Sequence, residues 1–459
     1  MFSSAALPPF LLREHPVQMT SRKTRVFLLR AITLSLVSTL LPAPMVSAGD
    51  ACCKTPPPAS EPPAEPPGLT GDWGGLRSTL KQKGFDFSAD YVVELFGNPT
   101  GGIQRGAVVN GLARLFLEVD LEKTVGWNGA AFRVSGLYAH GTSGSLRNVG
   151  DAAFFSSIDA YDSVRLIDFW IEQRLLEDKL SLRVGQTLAD TEFGVAETAA
   201  PFINSIYGVP TPPITPMGFA AYPVAALGVR LRVEPVKGLY GMAGIYDGNP
   251  SPGDFPDPST PGAPLGSNPR HGTDWALRAS EGATVATEVG FQRSEGSHPG
   301  AYRVGLVHHT DDFAEVRSGS ATVRKNSTSG FYVLDQTLWR KAEGSKEGVA
   351  AFVRGTLAEA STSFMNHSLQ MGAVYTGFLS SEDKIGVAVG RSTFSPGQVA
   401  SIRGADYPLT RENVAELTYL IPLKPHLRVQ PDVQYISRPG GIDAYKGAWV
   451  VGVRAIMEF

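Results

Sequence analysis

Cysteine is almost absent from this chain of 459 residues: Cys52 and Cys53 stand side by side in a proline-rich stretch. Adjacent cysteines cannot staple distant parts of a core, so stability comes from elsewhere even in an oxidising compartment. The preceding Gly49-Asp50-Ala51 lacks the apolar residue of a lipobox, so Cys52 reads as a solvated tail residue rather than a lipid anchor. Past residue 50 no stretch of about 20 mostly apolar residues occurs, which excludes a bundle of membrane-spanning helices. Nor is there strong charge of one sign. The formal net charge is −3 with acids and bases mixed, which offers nucleic acid no footprint. The 50 glycines follow no Gly-X-Y period, which excludes collagen, and a mean hydropathy of −0.05 argues against wholesale disorder. Missing too are G-x-S-x-G, H-E-x-x-H, C-x-x-C and phosphate-loop patterns.

What is present begins with an export signal over residues 1–48. Arg22, Lys23, Arg25 and Arg30 flank and enter the apolar run Val26 to Leu41, and Val46-Ser47-Ala48 places small residues at a cleavage site. Met19 precedes this basic patch and reads as the true start. Without residues 1–48 the chain keeps 36 Lys and Arg against 43 Asp and Glu, a net charge of −7. An uncleaved N-terminal anchor is the alternative, but the run is short and ends in Pro42 and Pro44.

Residues 49–68, with PPPASEPPAEPPG at their heart, read as a stiff periplasmic linker of polyproline II type. Residues 69–84 read as a short amphipathic helix. There Trp73, Leu76 and Leu80 share one face, Asp72 serves as N-cap and Gly84 as stop.

From residue 85 to 459 the period is two. Leu115, Leu117, Val119 and Leu121 alternate with Glu118 and Asp120; Leu180, Leu182 and Val184 alternate with Ser181 and Arg183. In the last segment Trp449, Val451, Val453, Ala455 and Met457 alternate with Gly452, Arg454 and Glu458. About 16 such segments lie between 85–95 and 448–458, mostly long enough to cross a bilayer as barrel strands. Alternation alone also fits a secreted β-sandwich or propeller with its apolar faces turned inward. Other features favour an all-β transmembrane antiparallel barrel. Tight turns at Glu177-Asp178, Val236-Lys237 and Leu423-Lys424-Pro425 contrast with long connections near 141–163, 187–224 and 248–282, which gives one trim rim and one ragged rim. Phe85, Phe87, Tyr91, Trp127, Tyr240, Tyr435 and Trp449 sit near strand ends, as interface girdles require, and no hydrophobic-core pattern stands out.

Several short stretches resemble one family. They are Leu69-Thr-Gly-Asp-Trp-Gly-Gly-Leu-Arg77, Gly106 with Asn110-Gly111, Asp120-Leu-Glu-Lys-Thr-Val-Gly-Trp127, Phe169-Trp-Ile-Glu-Gln173, Leu180-Ser-Leu-Arg-Val-Gly-Gln186, Asp190 with Glu192-Phe193, Phe202-Ile-Asn-Ser205 and Tyr222-Pro223. Together they resemble the OprB-type carbohydrate-selective porins over residues 69–459. The resemblance implies a 16-stranded barrel in the outer membrane of a Gram-negative bacterium, passing glucose and related small sugars by diffusion. Pro210, Pro212, Pro213 and Pro216 depart from the family's pattern.

A wide barrel needs a constriction to select, and the connection 187–224 is the segment to fold inward. It carries Asp190, Glu192, Glu197, Phe193, Phe202, Tyr207, Phe219, Tyr222 and Asn204. Carboxylates and arginines suit sugar hydroxyls, and aromatic rings suit their C–H faces. Trp170, Glu172, Arg183, Gln186, Arg230 and Arg232 on neighbouring strands complete the expected ring with Asp190, Glu192, Phe193 and Asn204. The expected partners are small sugars, outer-membrane lipid and the barrel assembly machinery, the last through the strand ending in Phe459. The barrel is expected to work as a monomer or homotrimer, without cofactor, metal or catalytic residues. His308-His309 would point to opposite faces of a strand and cannot chelate together. The acidic loop with Asp247, Asp254 and Asp257 lacks EF-hand spacing and reads as solvated. A general porin with weak cation preference, a barrel enzyme and a secreted sheet-rich binding protein remain alternatives. Mass spectrometry of the membrane-extracted protein is expected to find Gly49 as the first residue; retention of 19–48 contradicts this.

Overall fold

Alternation over 16 segments builds a sheet that closes on itself. The computed structural model describes residues 68–208, 219–250, 270–296, 298–316, 320, 322–402 and 405–459. The export signal, the proline-rich linker with Cys52 and Cys53, Pro210 to Pro216, and Asp254 and Asp257 lie outside the described residues. The barrel strands are β1 (Phe85–Gly102), β2 (Gly106–Asp120), β3 (Ala130–Gly141), β4 (Ser163–Leu175), β5 (Leu180–Thr187), β6 (Ala226–Val236), β7 (Leu239–Asp247) and β8 (Ala283–Arg293). They continue with β9 (Gly300–Ala314), β10 (Val323–Arg340), β11 (Gly348–Ala358), β12 (Met365–Thr376), β13 (Lys384–Phe394), β16 (Arg411–Lys424), β17 (Leu427–Ser437) and β18 (Lys446–Glu458). Between β13 and β16, β14 (Val399–Ile402) and β15 (Ala405–Pro408) form a separate two-stranded sheet. Each barrel strand pairs antiparallel with its sequence neighbour, β13 with β16 across the hairpin, and β1 closes on β18 with Asp90 opposite Glu458 and Val93 opposite Ala455. Closure leaves no sheet edge, the condition for sheet in hydrocarbon.

The direction of the side chains separates the two readings that alternation left open. Trp449, Val451 and Val453 are exposed on the outside of β18, whereas Ala448, Val450 and Arg454 are buried inside. On β8 Val289 and Phe291 point outward while Thr284, Ala286 and Glu288 are buried. A soluble sheet would turn these faces the other way; here the apolar band faces the lipid and the charges face the interior.

The connections 121–129, 176–179, 237–238, 294–299, 341–347, 377–383 and 425–426 form the trim rim. At the other rim 142–162, 188–225, 248–282 and 395–410 are long. Outward aromatics at the trim rim form a chain, Trp339 to Tyr375 to Phe378 to Tyr419, with ring centroids 6.5, 6.2 and 6.1 Å apart. Tyr435 and Trp449 lie 5.0 Å apart on the outer face of β17 and β18. Tyr240 is not a girdle residue: it faces the interior, 3% exposed, and donates to Glu288 at 2.6 Å.

Three expectations need correction. The short helix expected over 69–84 is present, but within narrower bounds. Gly74 and Gly75 take positive φ (69° and 91°), so a 3-10 turn over Trp73–Gly75 precedes α1 (Leu76–Gln82), and Trp73 and Leu76 remain exposed. Gly75, not Asp72, occupies the N-cap position of α1, although the Asp72 side chain accepts from Ser78 N in its first turn at 2.8 Å. Strand β1 runs to Gly102, beyond the expected segment 85–95, because its pairing with β18 shifts register at Gly97/Thr100 and so leaves Pro99 outside the ladder. The third is the missing hydrophobic core, which exists inside the barrel and is described below.

Val453→Arg is expected to cost about 2–4 kcal/mol, the penalty for a cation on the lipid face. Cysteines at 451 and 453 are expected to react with lipid-phase probes only. Position 452 cannot serve as the aqueous control, since a Cβ there would lie 2.4 Å from the ring of Phe96. Reaction of 451 and 453 with aqueous reagents alone contradicts the assignment.

Candidate functional site: an eyelet built by inward-folded connections

The connection 188–225 leaves the wall at Leu188 and packs inside the barrel, and wall side chains satisfy its backbone. Glu288 on β8 accepts from Gly194 N at 2.7 Å, Asp335 on β10 from Thr198 N at 2.8 Å, and Glu416 on β16 from Ile203 N at 2.6 Å and Asn204 N at 2.9 Å. In the opposite polarity, Arg303 on β9 donates to Val195 O at 2.6 Å, Arg354 on β11 to Ile206 O at 2.9 Å, and Gln430 on β17 to Pro201 O at 2.5 Å. Between these anchors Phe193, Phe202, Ile203, Ile206 and Tyr207 pack against inward-facing Tyr246, Phe331, Phe352, Val374 and Ile436. This is the apolar core that alternation hid: part of it comes from inward-folded connections and part from the inner faces of the strands.

A second connection, 142–162, docks beside it. Glu412 accepts from Ala152 N (2.9 Å), Ala153 N (3.0 Å) and Gly440 N (2.7 Å), and Gln434 donates to Phe155 O at 2.9 Å. Arg454 pairs with Glu94 at 2.9 Å and reaches Ser156 Oγ at 3.3 Å.

Apart from Asn110 on β2, which accepts from Thr142 N at 3.0 Å, the anchors for these connections lie from β8 round to β18, which leaves most of the wall of β2 to β6 open. A cavity of about 500 Å³ lies there, between that wall and Leu188, Thr191, Glu192 and Tyr222 of the eyelet connection. Its wall carries charges of alternating sign. Arg114 holds Asp90 through two 2.9 Å bonds; Arg133 bridges Glu118 and Asp168, the latter at 3.1 Å. Glu172 meets Arg183 at 2.6 Å, Arg230 at 3.0 Å and Arg174 at 3.2 Å. Glu192 reaches down from the connection to Arg230 at 2.7 Å and Arg183 at 3.4 Å. Aromatic rings lie against these cations: Trp170 with Arg183 Cζ at 4.1 Å, and Phe116 with Arg133 at 4.9 Å and Arg114 at 5.7 Å.

Of the residues expected from the sequence, Trp170, Glu172, Arg183, Glu192 and Arg230 come together here. Arg230 and Glu172 are buried and brace Arg183. Arg232 lies lower on β6, 3.7 Å over the ring of Tyr240 and 3.3 Å from Glu234. Asp190 sits at the root of the connection, where one oxygen accepts from Tyr222 N at 3.1 Å and the other, also buried, has no partner. Burial pushes its carboxyl up to about 7, and nearby Asp168 adds to the effect. Asp159 in the second connection is raised to about 6, again by burial.

Three expected residues do not line the passage. Phe193 is fully buried in the inner core. Asn204 is fully buried as well; it caps the 3-10 turn Ser205–Tyr207 and donates to Gln434 at 2.9 Å, so it anchors rather than faces the opening. Gln186 lies an odd number of residues from Arg183, and its side chain accepts from Trp275 at 2.6 Å on the outer side. The sequence reading missed Arg114, Phe116, Arg133 and Asp168. The signal for the first two was there: they share parity with Glu118, opposite Leu115 and Leu117. His308 and His309 point apart, to Thr328 Oγ1 at 2.8 Å and to Gly248 O at 2.9 Å.

An apolar exterior, a charged interior and an eyelet made by an inward connection together define an outer-membrane diffusion porin. Residues 104–459 match the sequence profile of the carbohydrate-selective porin, OprB family, and the chain belongs to that family, whose members reside in the Gram-negative outer membrane. It is 26% identical over 431 residues to Porin B of Pseudomonas aeruginosa, covering 84% of this chain and 90% of that protein. In fold it is similar to the high-pH structure of Pseudomonas putida OprB, with a TM-score of 0.75 and 24% identity over 86% of this chain and 99% of that one. The low-pH structure of the same protein aligns with a TM-score of 0.53 at 19% identity, with the same coverage of both chains.

Because Asp190 binds its proton more tightly when docked than when solvated, docking of the eyelet connection gains from low pH. That gain is complete below about 4, the ordinary aspartate range, and is lost as pH rises through about 7. Asp159 acts in the same direction, ending near 6. Proteolysis of the connection in reconstituted protein is therefore expected to be faster at pH 8 than at pH 5, and Asp190→Asn to reduce that difference. An unchanged slope in the variant contradicts this account.

Proposed function

We propose that small neutral sugars such as glucose descend along the wall of β2 to β6, past Glu192. The observation that supports this reading most is the ladder of paired charges beside aromatic rings. Each Arg–carboxylate pair offers donors and acceptors to hydroxyl groups while cancelling most of its own field, and Trp170 and Phe116 offer surfaces to the sugar's C–H faces. Arg183, Glu192, Trp170, Arg133 and Asp168 are the contacts we assign to sugar, with Glu172 and Arg230 holding Arg183 in place. Residues 49–68 serve as a periplasmic linker, and β18 with Phe459 presents the signal read by the barrel assembly machinery.

Planar-bilayer recording tests the reading. Glucose or maltooligosaccharides are expected to block the current, and the ionic selectivity to be neutral or weakly cationic. Arg183→Ala removes charged contacts worth about 1.5–3 kcal/mol. It is expected to weaken block about 10- to 100-fold and to move the reversal potential towards cations, because Glu172 and Glu192 lose a counter-ion. Current that no sugar blocks favours a general porin, and clear anion selectivity in the unaltered protein contradicts the balance of charges assigned here.

A further inference from the structure

The sixteen-strand ladder has a notch. Strand β5 ends at Thr187, so its last pairings are Gln186 with Phe169 on β4 and Thr187 with Ala226 on β6. Strand β4 continues upward to Ser163, and its residues 163–168 have no β5 partner in the ladder, because the chain has already turned inward at Leu188. An unpaired backbone edge beside lipid is costly.

Residues from the next long connection fill this place. Leu166 N donates to His271 O at 2.9 Å, and the ring of His271 contacts Val164 O at 2.9 Å. Gly272 follows with φ 76°, where a Cβ would stand 2.5 Å from Leu166 O, so the close approach requires glycine. Trp275 then stacks on the outer face of Phe169, with centroids 5.4 Å apart and planes at 25°. Its indole N–H donates to Gln186 Oε1 at 2.6 Å, while Gln186 Nε2 donates to Leu166 O at 2.8 Å. Asp274 stiffens the segment through Arg270 at 2.5 Å and Arg278 at 3.1 Å.

We propose that residues 271–275 act as a surrogate stretch of wall, and that the Trp275–Gln186 hydrogen bond is a positioning contact that fixes where the eyelet connection leaves the sheet. Gln186 is two residues before Leu188 and six before Glu192, so the clamp sets the root from which Glu192 reaches Arg183 and Arg230. This inference rests on the reading of 188–225 as the eyelet.

The test uses the full-length protein in planar bilayers. Trp275→Phe keeps the stack on Phe169 and deletes the donor; Gln186→Leu deletes the acceptor. Each is expected to increase open-channel noise and to weaken sugar block about 3- to 10-fold, the range for one hydrogen bond. The double variant is expected to be no worse than the more affected single one, and heat resistance of the folded barrel to stay unchanged. Noise and block at wild-type levels in Trp275→Phe overturn the proposal, as do strictly additive effects in the double variant. Should Gln186→Leu fail to fold, Trp275→Phe decides alone, since Trp275 lies outside the ladder. Absence of sugar block in the unaltered protein counts against the sugar path instead, and the noise of Trp275→Phe still decides this inference.

Discussion

A peptide group taken inside a barrel must find partners there or lose stability. The connections 142–162 and 188–225 both enter, and their amides and carbonyls meet carboxylates, guanidinium groups and amides set on the inner faces of β8 to β11, β16 and β17. Glu288, Asp335, Glu412 and Glu416 accept from main-chain N–H groups, and Arg303, Arg354, Gln430 and Gln434 donate to main-chain carbonyls. These wall residues have no comparable role in an empty tube. Their charges on strand faces make sense as sockets for a specific segment of main chain.

Where the connections dock decides where solute travels. The anchors run from β8 to β18, and the inner apolar core fills that side, so the free cross-section lies against β2 to β6. There the side chains pair with one another across adjacent strands instead of with a connection: Asp90 with Arg114, Arg133 with Glu118 and Asp168, Glu172 with Arg183 and Arg230. The same chemistry thus serves two purposes, holding main chain on one side and presenting hydroxyl-matching groups on the other. Glu192 joins the two sides, being carried by the docked connection and paired to the open wall.

The sixteen strands were legible because most of them place apolar residues at every second position over much of their length. The long connections were legible from their lack of that pattern. The part that failed has a common cause: alternation states which face a residue takes, never what meets it there. Glu416 and Arg354 carry the same parity signal as Arg183, yet they hold main chain. Phe193 and Asn204 lie in a connection, where no period applies, and their burial depends on partners distant in sequence, such as Tyr246 for Phe193 and Gln434 for Asn204. Gln186 fails for the opposite reason, since the period puts it outside and only Trp275, from another connection, explains a polar group there. The small β14–β15 hairpin escaped notice because its strands are only 4 residues each.

The two ends of the barrel chain meet. Leu69 N donates to Glu458 O at 2.9 Å, Phe459 N to Ala89 O at 2.8 Å, and Arg77 donates both to the carbonyl oxygen of Phe87 (3.1 Å) and to a carboxylate oxygen of Phe459 (3.2 Å). A ring whose first and last strands are neighbours stays open until β18 has arrived. A chain that stops before β18 keeps two open edges, at β1 and at its own last strand. Completion is therefore a length check built into the topology, and a nascent or clipped chain carries its own mark of incompleteness in the form of unpaired strands, whatever the state of its eyelet.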